Sequence, residues 1–281
     1  MHCMQAGTPS RTALGAAAHR AAHQTLEQGR VFSDPLAVRI LGPNAEAIIA
    51  EVNDRPSSAR MRLFIAARTR FAEDALKAAL ERGLKQVVIL AAGLDTSAYR
   101  NDWPGVRVFE VDHVDTQAWK RGMLAQAGIS APATLTYASI DFERQTLEEA
   151  LADAGFDPSI ETFFTWMGCT PYLTEDAIWA TCAYVAGLPG GGHIVFDYAL
   201  PAEETGEERA AREADAARVA NLGEPWISFF TPDAMHAKLR ELGFTAFDEI
   251  GRNEIFERYF GMTPPTDAQR GGARVIRAST R

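Results

Sequence analysis

The sequence predicts an open, doubly wound α/β sheet of seven mostly parallel strands, and three observations carry that prediction. Gln86 to Ala91 (QVVILA) is an uninterrupted apolar run between turn signals, the pattern of a parallel strand covered on both faces. Strand-like and helix-like segments alternate from about Ser57 to the C-terminus, as in sheets flanked by helices. Phe244 to Ile250 and Ala273 to Ser279 then look like a final antiparallel pair, which gives the sheet a reversed, hairpin-like edge.

The elements follow in chain order. Thr8 to Gln28 is rich in alanine and helical by propensity. Ser33-Asp34-Pro35 reads as a helix start, with Ser33 or Asp34 as the cap and Pro35 near the first turn, and Gly42-Pro43 ends that short helix. A long helix spans Ser57 to Arg82, because Met61, Phe64, Ile65, Phe71, Ala72, Ala75, Leu76 and Ala79 recur at helical spacing with the stem of Arg68 among them. Gly83 closes it. Val106 to Val111 (VRVFEV), Thr134 to Ser139, Thr162 to Trp166 (TFFTW) and His193 to Tyr198 (HIVFDY) supply the next strands. Helices fall between strands at Thr96 to Tyr99, Asp115 to Ala127, Leu147 to Ala154 and Thr174 to Gly187. Glu203 to Ala220 breaks the regularity. Its charges, with Glu208 and Arg212 four apart, suit a solvated helix with almost no apolar stripe, read as an exposed, mobile flap. One domain is expected over residues 1–281: a helical cap at 1–56, a core at 57–200, a lid at 201–232, and a closing helix and strand pair at 233–281.

Composition narrows the function classes. At 281 residues and 47% hydrophobic, the chain can bury one large core. A net charge of −9 argues against a nucleic-acid partner, since phosphate binding needs a basic face. No run of about eighteen apolar residues occurs, so no membrane span is expected. Met1 to Arg20 has no signal-peptide layout, and a cytoplasmic location is expected. Cys3, Cys169 and Cys182 have no paired spacing and the histidines no ligand spacing, so neither a disulfide framework nor a metal site is expected.

In open sheets of this kind ligands lie beyond the C-terminal ends of the strands. After the first strand, Ala92-Gly93-Leu94-Asp95-Thr96 offers one glycine where a dinucleotide-binding turn has three. That is a poor phosphate cradle; it suits a nucleoside without phosphates, or is a plain tight turn. Asp112, nineteen residues beyond Gly93, is placed to accept from both ribose hydroxyls, with Glu110 as a less exposed competitor. Asp141 can accept from an exocyclic amine while Phe142 lies against a purine, or it simply caps a helix. After the fourth strand, Gly168 and Pro171 prescribe a rigid loop between Trp166 and Tyr172, whose faces suit a cationic sulfonium or belong to the core.

The stretches VVILAAGLDTSAYR, FEVDHVDTQAWKR, SIDFE and FFTWMGCTPYLTEDA carry a resemblance, supported by TALGAAAHRAAHQ…FSDPLAVRILG before them and GEPW…TPDAMHAKLRELGF after. In that order, over nearly the whole chain, they resemble the leucine carboxyl methyltransferase-like family of bacterial S-adenosyl-L-methionine-dependent O-methyltransferases, which includes polyketide-tailoring members. The resemblance implies a class I methyltransferase fold, Rossmann-like, with S-adenosyl-L-methionine held by the core. It implies that Arg68, in AARTRF, binds the methionine carboxylate, a task that suits a bidentate guanidinium. Without it Arg68 reads as an ordinary snorkelling side chain. It further implies Gly93 with Ala92 under the cofactor, Asp112 at the ribose, Asp141 and Phe142 at the adenine, and Tyr172 at the methyl-transfer region as the catalytic position. Many members have a glutamate in W-E-G where this chain has Met167, expected to face the cofactor's methionine end. Methionine removes the charge and leaves a polarizable contact, so weaker cofactor affinity or a changed substrate pocket is expected.

The implied reaction is in-line methyl transfer to an oxygen, in which the protein supplies alignment and water exclusion. No motif loop presents an evident base: His113 reads as structural, and His193 starts a strand at the opposite end. A carboxylate of a small molecule or peptide terminus is therefore the expected acceptor, with a phenol or alcohol hydroxyl of secondary metabolism as the alternative. The substrate pocket is expected between the N-terminal helices and Glu203 to Phe230, with His23, Trp226, Phe229 and Phe230 on its walls. Two other readings stay open. A nicotinamide-dependent oxidoreductase fits Asp112 but not the single-glycine loop or Arg68, and a non-catalytic nucleoside-binding protein is suggested by Met167.

Overall fold

Five consecutive buried residues, Gln86–Leu90, form β1 in the interior of the sheet, as an apolar run covered on both faces should. The computed structural model describes residues 11–54, 58–100, 103–141, 145–201, 206–261, 263 and 272–281. The other strands are β2 (Arg107–Asp112), β3 (Leu135–Ser139), β4 (Thr162–Trp166), β5 (Gly192–Ala199), β6 (Ala246–Ile250) and β7 (Ala273–Ser279). The order is β3-β2-β1-β4-β5-β7-β6. β7 runs antiparallel to both β5 and β6, and the remaining pairs are parallel. This is the predicted seven-stranded, mostly parallel α/β sheet.

The helices are α1 (Arg11–Leu26), α2 (Ala45–Asn53), α3 (Ser58–Glu81), α4 (Ser97–Arg100), α5 (Val114–Gln126), α6 (Leu147–Asp153), α7 (Glu175–Ala186), α8 (Gly206–Asn221), α9 (Pro232–Glu241) and α10 (Arg252–Ile255). Their starts are written locally. Thr146 and Glu149 form a reciprocal capping box at α6. Thr174 and Thr231 each accept a backbone N–H at 3.3 Å at the starts of α7 and α9.

Alternate strand residues feed two cores. Phe109, Val111, Phe164 and Phe196 pack with Leu151 of α6, Ile178 of α7 and Met235 of α9. Val87, Ile89, Phe163 and Val195 point the other way, onto Phe71 and Leu76 of α3 and Ile255 of α10. Each fully buried phenylalanine here is worth about 1.5–3 kcal/mol. A third cluster joins Ala17 and Ala21 of α1, Ile40 and Leu41, Leu124 of α5 and Leu94, which follows β1. The N-terminal cap is thereby fastened onto the loop after β1.

The fold departs from the sequence reading in three places. The reversed strand is not at the edge: β7 slots between β5 and β6, because Val275, Ile276 and Ala278 are fully buried and need neighbours on both sides. Ser33-Asp34-Pro35 does not begin a helix; a 3₁₀ turn starts at Arg39, and Gly42 turns the chain with φ 70° into α2. The charged segment does form a helix, α8, but it is not exposed throughout. Val219 and Asp215 are buried, and Arg212 donates to the Leu200 carbonyl at 2.6 Å with its guanidinium over Phe229. No helix among the described residues is long and apolar enough to cross a membrane.

Candidate active site

Strand register brings the candidate residues into one row. Leu90 pairs with Val111, Trp166 with Phe196, Ile89 with Thr165, and Asp112 with Ser139. Carried one residue further between β1 and β2 and between β4 and β5, and two further between β1 and β4, these pairings set Ala91, Asp112, Met167 and Asp197 level across β2, β1, β4 and β5. The backbone is strained in that row. Ala91 has φ 49°, a left-handed conformation costing a non-glycine residue about 1–3 kcal/mol and found chiefly at functional sites. Ala92 follows it, buried, its N–H donating to the Val111 carbonyl at 3.3 Å.

Arg68 sits on the buried side of α3, between Ala67 and Phe71, with its guanidinium 5.8 Å from the Phe64 ring. Its Nη1 pairs with Asp197 Oδ2 of β5 at 2.7 Å. The other Asp197 oxygen accepts the Gly168 N–H at 2.6 Å. Asp197 was not among the sequence candidates. Its signal was a lone carboxylate near the C-terminal end of an apolar strand run, HIVFDY. Arg68 Nε is buried with no hydrogen-bond partner among the described residues, which is what a site for an external anion looks like from the arginine's side.

Gly168 makes room for that guanidinium. Its φ is 70°, and a Cβ there would lie 2.8 Å from Arg68 Nη2. Gly168→Ala is therefore expected to cost roughly 1–2 kcal/mol in backbone strain alone and to push Arg68 off Asp197. Thermal melting together with a titration with S-adenosylhomocysteine, the demethylated form of the implied cofactor, would register both effects.

Asp112 ends β2 and is held by two backbone donors. Its Oδ2 accepts the Gly93 N–H at 2.6 Å and its Oδ1 the His113 N–H at 2.7 Å. Burial pushes its pKa above the usual carboxylate range, while those two N–H groups pull it back. Each oxygen keeps a second lone pair for a further donor. Gly93, at φ 44°, lies under α1, where a Cβ would come 3.0 Å from the Ala13 Cβ. The competitor Glu110 is removed from consideration: it is fully buried and bound to Lys120 Nζ at 2.7 Å. Asp141 stands just beyond β3, next to Ile140, whose N–H donates to the Asp112 carbonyl at 3.0 Å. Phe142 lies outside the described residues.

Tyr172 is brought to Trp226, which hydrogen-bonds its hydroxyl. Burial raises the phenol pKa, so Tyr172 is a neutral donor and not a base, and Arg68, Asp197 and Glu224 all act on it electrostatically. The backbone fixes this meeting: Ile227 N–H donates to the Pro171 carbonyl at 2.7 Å, and Thr12 N–H of α1 to Glu224 Oε2 at 3.3 Å. One hydrogen bond thus ties the N-terminal helix to the late segment, and Glu224, which nothing local marks out, makes it. Met167 lines a small recess shared with Thr69, Glu73, Asp95 and Ser97.

Three expected wall residues are placed differently. The His23 ring is fully buried, receives the Val31 and Phe32 N–H groups at 3.3 and 3.4 Å, and pairs with Glu27. Every ring nitrogen is thus used in packing the chain turn. Phe230 is buried against Trp179, with ring centroids 5.1 Å apart, as part of a core. Phe229 is exposed beneath Arg212. His113 caps α5 and His193 stacks on Phe163 beside Glu161, so neither is a base for this edge. No group of three or more metal-ligating side chains occurs among the described residues.

A family model described as leucine carboxyl methyltransferase matches residues 13–186. A Bacillus subtilis protein, named provisionally as an S-adenosyl-L-methionine-dependent methyltransferase, is 32% identical over 69% of this chain and 65% of its own length. A Mycolicibacterium gilvum protein with the same provisional name is 32% identical over 96% of this chain and 94% of its own. Among solved structures, a Thermobifida fusca protein described provisionally as a methyltransferase shares the fold with TM-score 0.59 at 15% identity, over 98% of this chain and 96% of that one.

Proposed function

Because the chain belongs to the leucine carboxyl methyltransferase family, we propose that it transfers the methyl group of S-adenosyl-L-methionine to an oxygen of a small molecule or peptide terminus. S-adenosyl-L-methionine is its cofactor, the one by which both relatives are named. The observation that carries the reading is the row at the strand ends, where a buried arginine with an unpartnered Nε faces an edge that also holds Asp112. When bound, the cofactor supplies a sulfonium methyl that is already activated for transfer.

The chain's own residues then bind, orient and exclude water. Arg68, steadied by Asp197, offers Nε and Nη2 to a carboxylate. Asp112, steadied by Gly93 and His113, accepts from ribose hydroxyls. Asp141 and Phe142 take the adenine. Met167 brings no charge to its recess, where the carboxylate not already paired with an arginine is Asp95, whose Oδ1 accepts the Ser97 N–H at 2.8 Å. Tyr172 donates its phenolic hydrogen toward the transfer region. The oxidoreductase reading is set aside by family membership.

A carboxylate acceptor remains the first reading, since an anion needs no base, and His113 and His193 are taken up in capping and packing. One observation favours a second reading, a hydroxyl acceptor: Glu224 stands near Tyr172 and Trp226, where a carboxylate can take a proton. Labelling cell extract with methyl-labelled cofactor and treating it with mild alkali separates the two. Release of labelled methanol is expected for an ester. Alkali-stable label overturns the ester and is the result the hydroxyl reading requires, and no label at all contradicts methyl transfer.

A further inference from the structure

Asp34 lies outside the row of strand ends, yet its side chain is fully buried among groups from four places in the chain. Its Oδ2 accepts the Thr96 hydroxyl at 2.6 Å, at the end of the loop that begins with Ala92. Its Oδ1 accepts the Leu36 N–H at 3.0 Å. Arg20 Nε of α1 stands 3.5 Å away and Arg100 Nε of α4 3.8 Å away. Both arginines reach onward. Arg20 Nη2 donates to the Leu94 carbonyl, and Arg100 pairs with Glu73 of α3 while covering the Phe32 ring at 4.8 Å.

Two cations, Arg20 and Arg100, and two carboxylates, Asp34 and Glu73, thus close on the 92–96 loop, whose own Asp95 is turned onto Ser97. Such a buried network favours one arrangement only while every member is paired. Burial already draws the Arg100 pKa down to about 10, with Asp34 holding it up and Arg20 pressing it lower. Neutralising Asp34 leaves two guanidinium groups facing each other with Glu73 alone to answer them. The loop has little slack, because Gly93 is pressed against Ala13 and its N–H is aimed at Asp112 Oδ2.

We propose that Asp34 is a positioning residue for the cofactor: through Thr96, and through Arg20 on Leu94, it holds the 92–96 loop and α1 in the one arrangement that aims Gly93 at Asp112. Cofactor binding and the seating of α1 are then a single coupled equilibrium. The assignment rests on the reading that this loop holds S-adenosyl-L-methionine.

The test uses the full chain as wild type, Asp34→Asn and Thr96→Val, read by hydrogen exchange without ligand and by calorimetric titration with S-adenosylhomocysteine. Asp34→Asn is expected to speed exchange about tenfold or more at residues 92–100 and 11–26 but not in β4 and β5, and to weaken binding about tenfold or more, the effect of losing a charged hydrogen bond. Thr96→Val removes the hydroxyl that Asp34 Oδ2 accepts and should weaken binding about threefold with only a small fall in melting temperature; it decides the question alone where Asp34→Asn fails to fold. Unchanged affinity in both variants overturns the assignment, and so does exchange that rises equally in every strand, the mark of a purely structural residue. A wild type that binds no S-adenosylhomocysteine overturns the cofactor reading and this assignment with it, a result distinct from variants that bind as well as a binding wild type.

Discussion

Arg68→Ala is expected to lower the melting temperature by roughly 6–20 °C, because breaking one side of a buried ion pair costs about 3–5 kcal/mol in a chain of this size. It leaves Asp197, more deeply buried than its partner, with the Gly168 N–H alone among the described residues to answer its charge. The same change should weaken S-adenosylhomocysteine binding by roughly 10- to 150-fold, the worth of a hydrogen bond to a charged group. The double variant Arg68→Ala with Asp197→Ala separates the two effects. It should regain much of the stability, since no unpaired charge stays buried, and none of the affinity. A double variant that regains the affinity would show that Arg68 serves the fold alone.

Asp112→Ala should weaken S-adenosylhomocysteine binding by roughly 5- to 150-fold, or about 1–3 kcal/mol, because ribose hydroxyls lose their acceptor. Its pH dependence has an unusual pair of signs. Burial raises the folded-state pKa of Asp112, so the protonated carboxyl favours the fold. That contribution is complete below the ordinary carboxylate pKa and disappears as pH rises through the folded value. Ribose binding needs the ionised acceptor, so affinity should fall as the solution is acidified from neutrality toward that raised value. The two trends oppose each other on acidification: Asp112 adds to stability while affinity declines. Melts and titrations across a pH series, beside Asp112→Asn, would check both, and the variant should lose both dependences.

Much of the sheet was legible because its signals are local. TFFTW and Ala273 to Ser279 fall on β4 and β7 at the residues expected, the first as an apolar run and the second as a short run of apolar residues broken by arginines. The place of β7 was not legible from pairing habits, because the long connection from β6 lets it slot in beside β5. Asp112 was legible from its distance to Gly93 and the strand before it. Asp197, Glu224 and Asp34 were not. Each draws its meaning from residues far off in sequence: Arg68, Thr12, and the trio Arg20, Thr96 and Arg100. Asp34 shows the limit most clearly. Ser33-Asp34-Pro35 carries every local sign of a helix cap, and the carboxylate does accept one nearby N–H, yet its other oxygen and its charge serve a loop sixty-two residues away. His23 and Phe230 erred in the opposite sense, because aromatic and imidazole side chains near a pocket cannot be told by sequence from those that pack beside it.

The most direct measurement of the central claim is an equilibrium titration of the intact chain with S-adenosylhomocysteine beside NAD. The arrangement of Arg68, Gly93 and Asp112 predicts saturable one-to-one binding of S-adenosylhomocysteine, abolished or strongly weakened in Arg68→Ala and Asp112→Ala, and no binding of NAD. Binding of NAD without S-adenosylhomocysteine, or S-adenosylhomocysteine binding that both variants leave untouched, would contradict it.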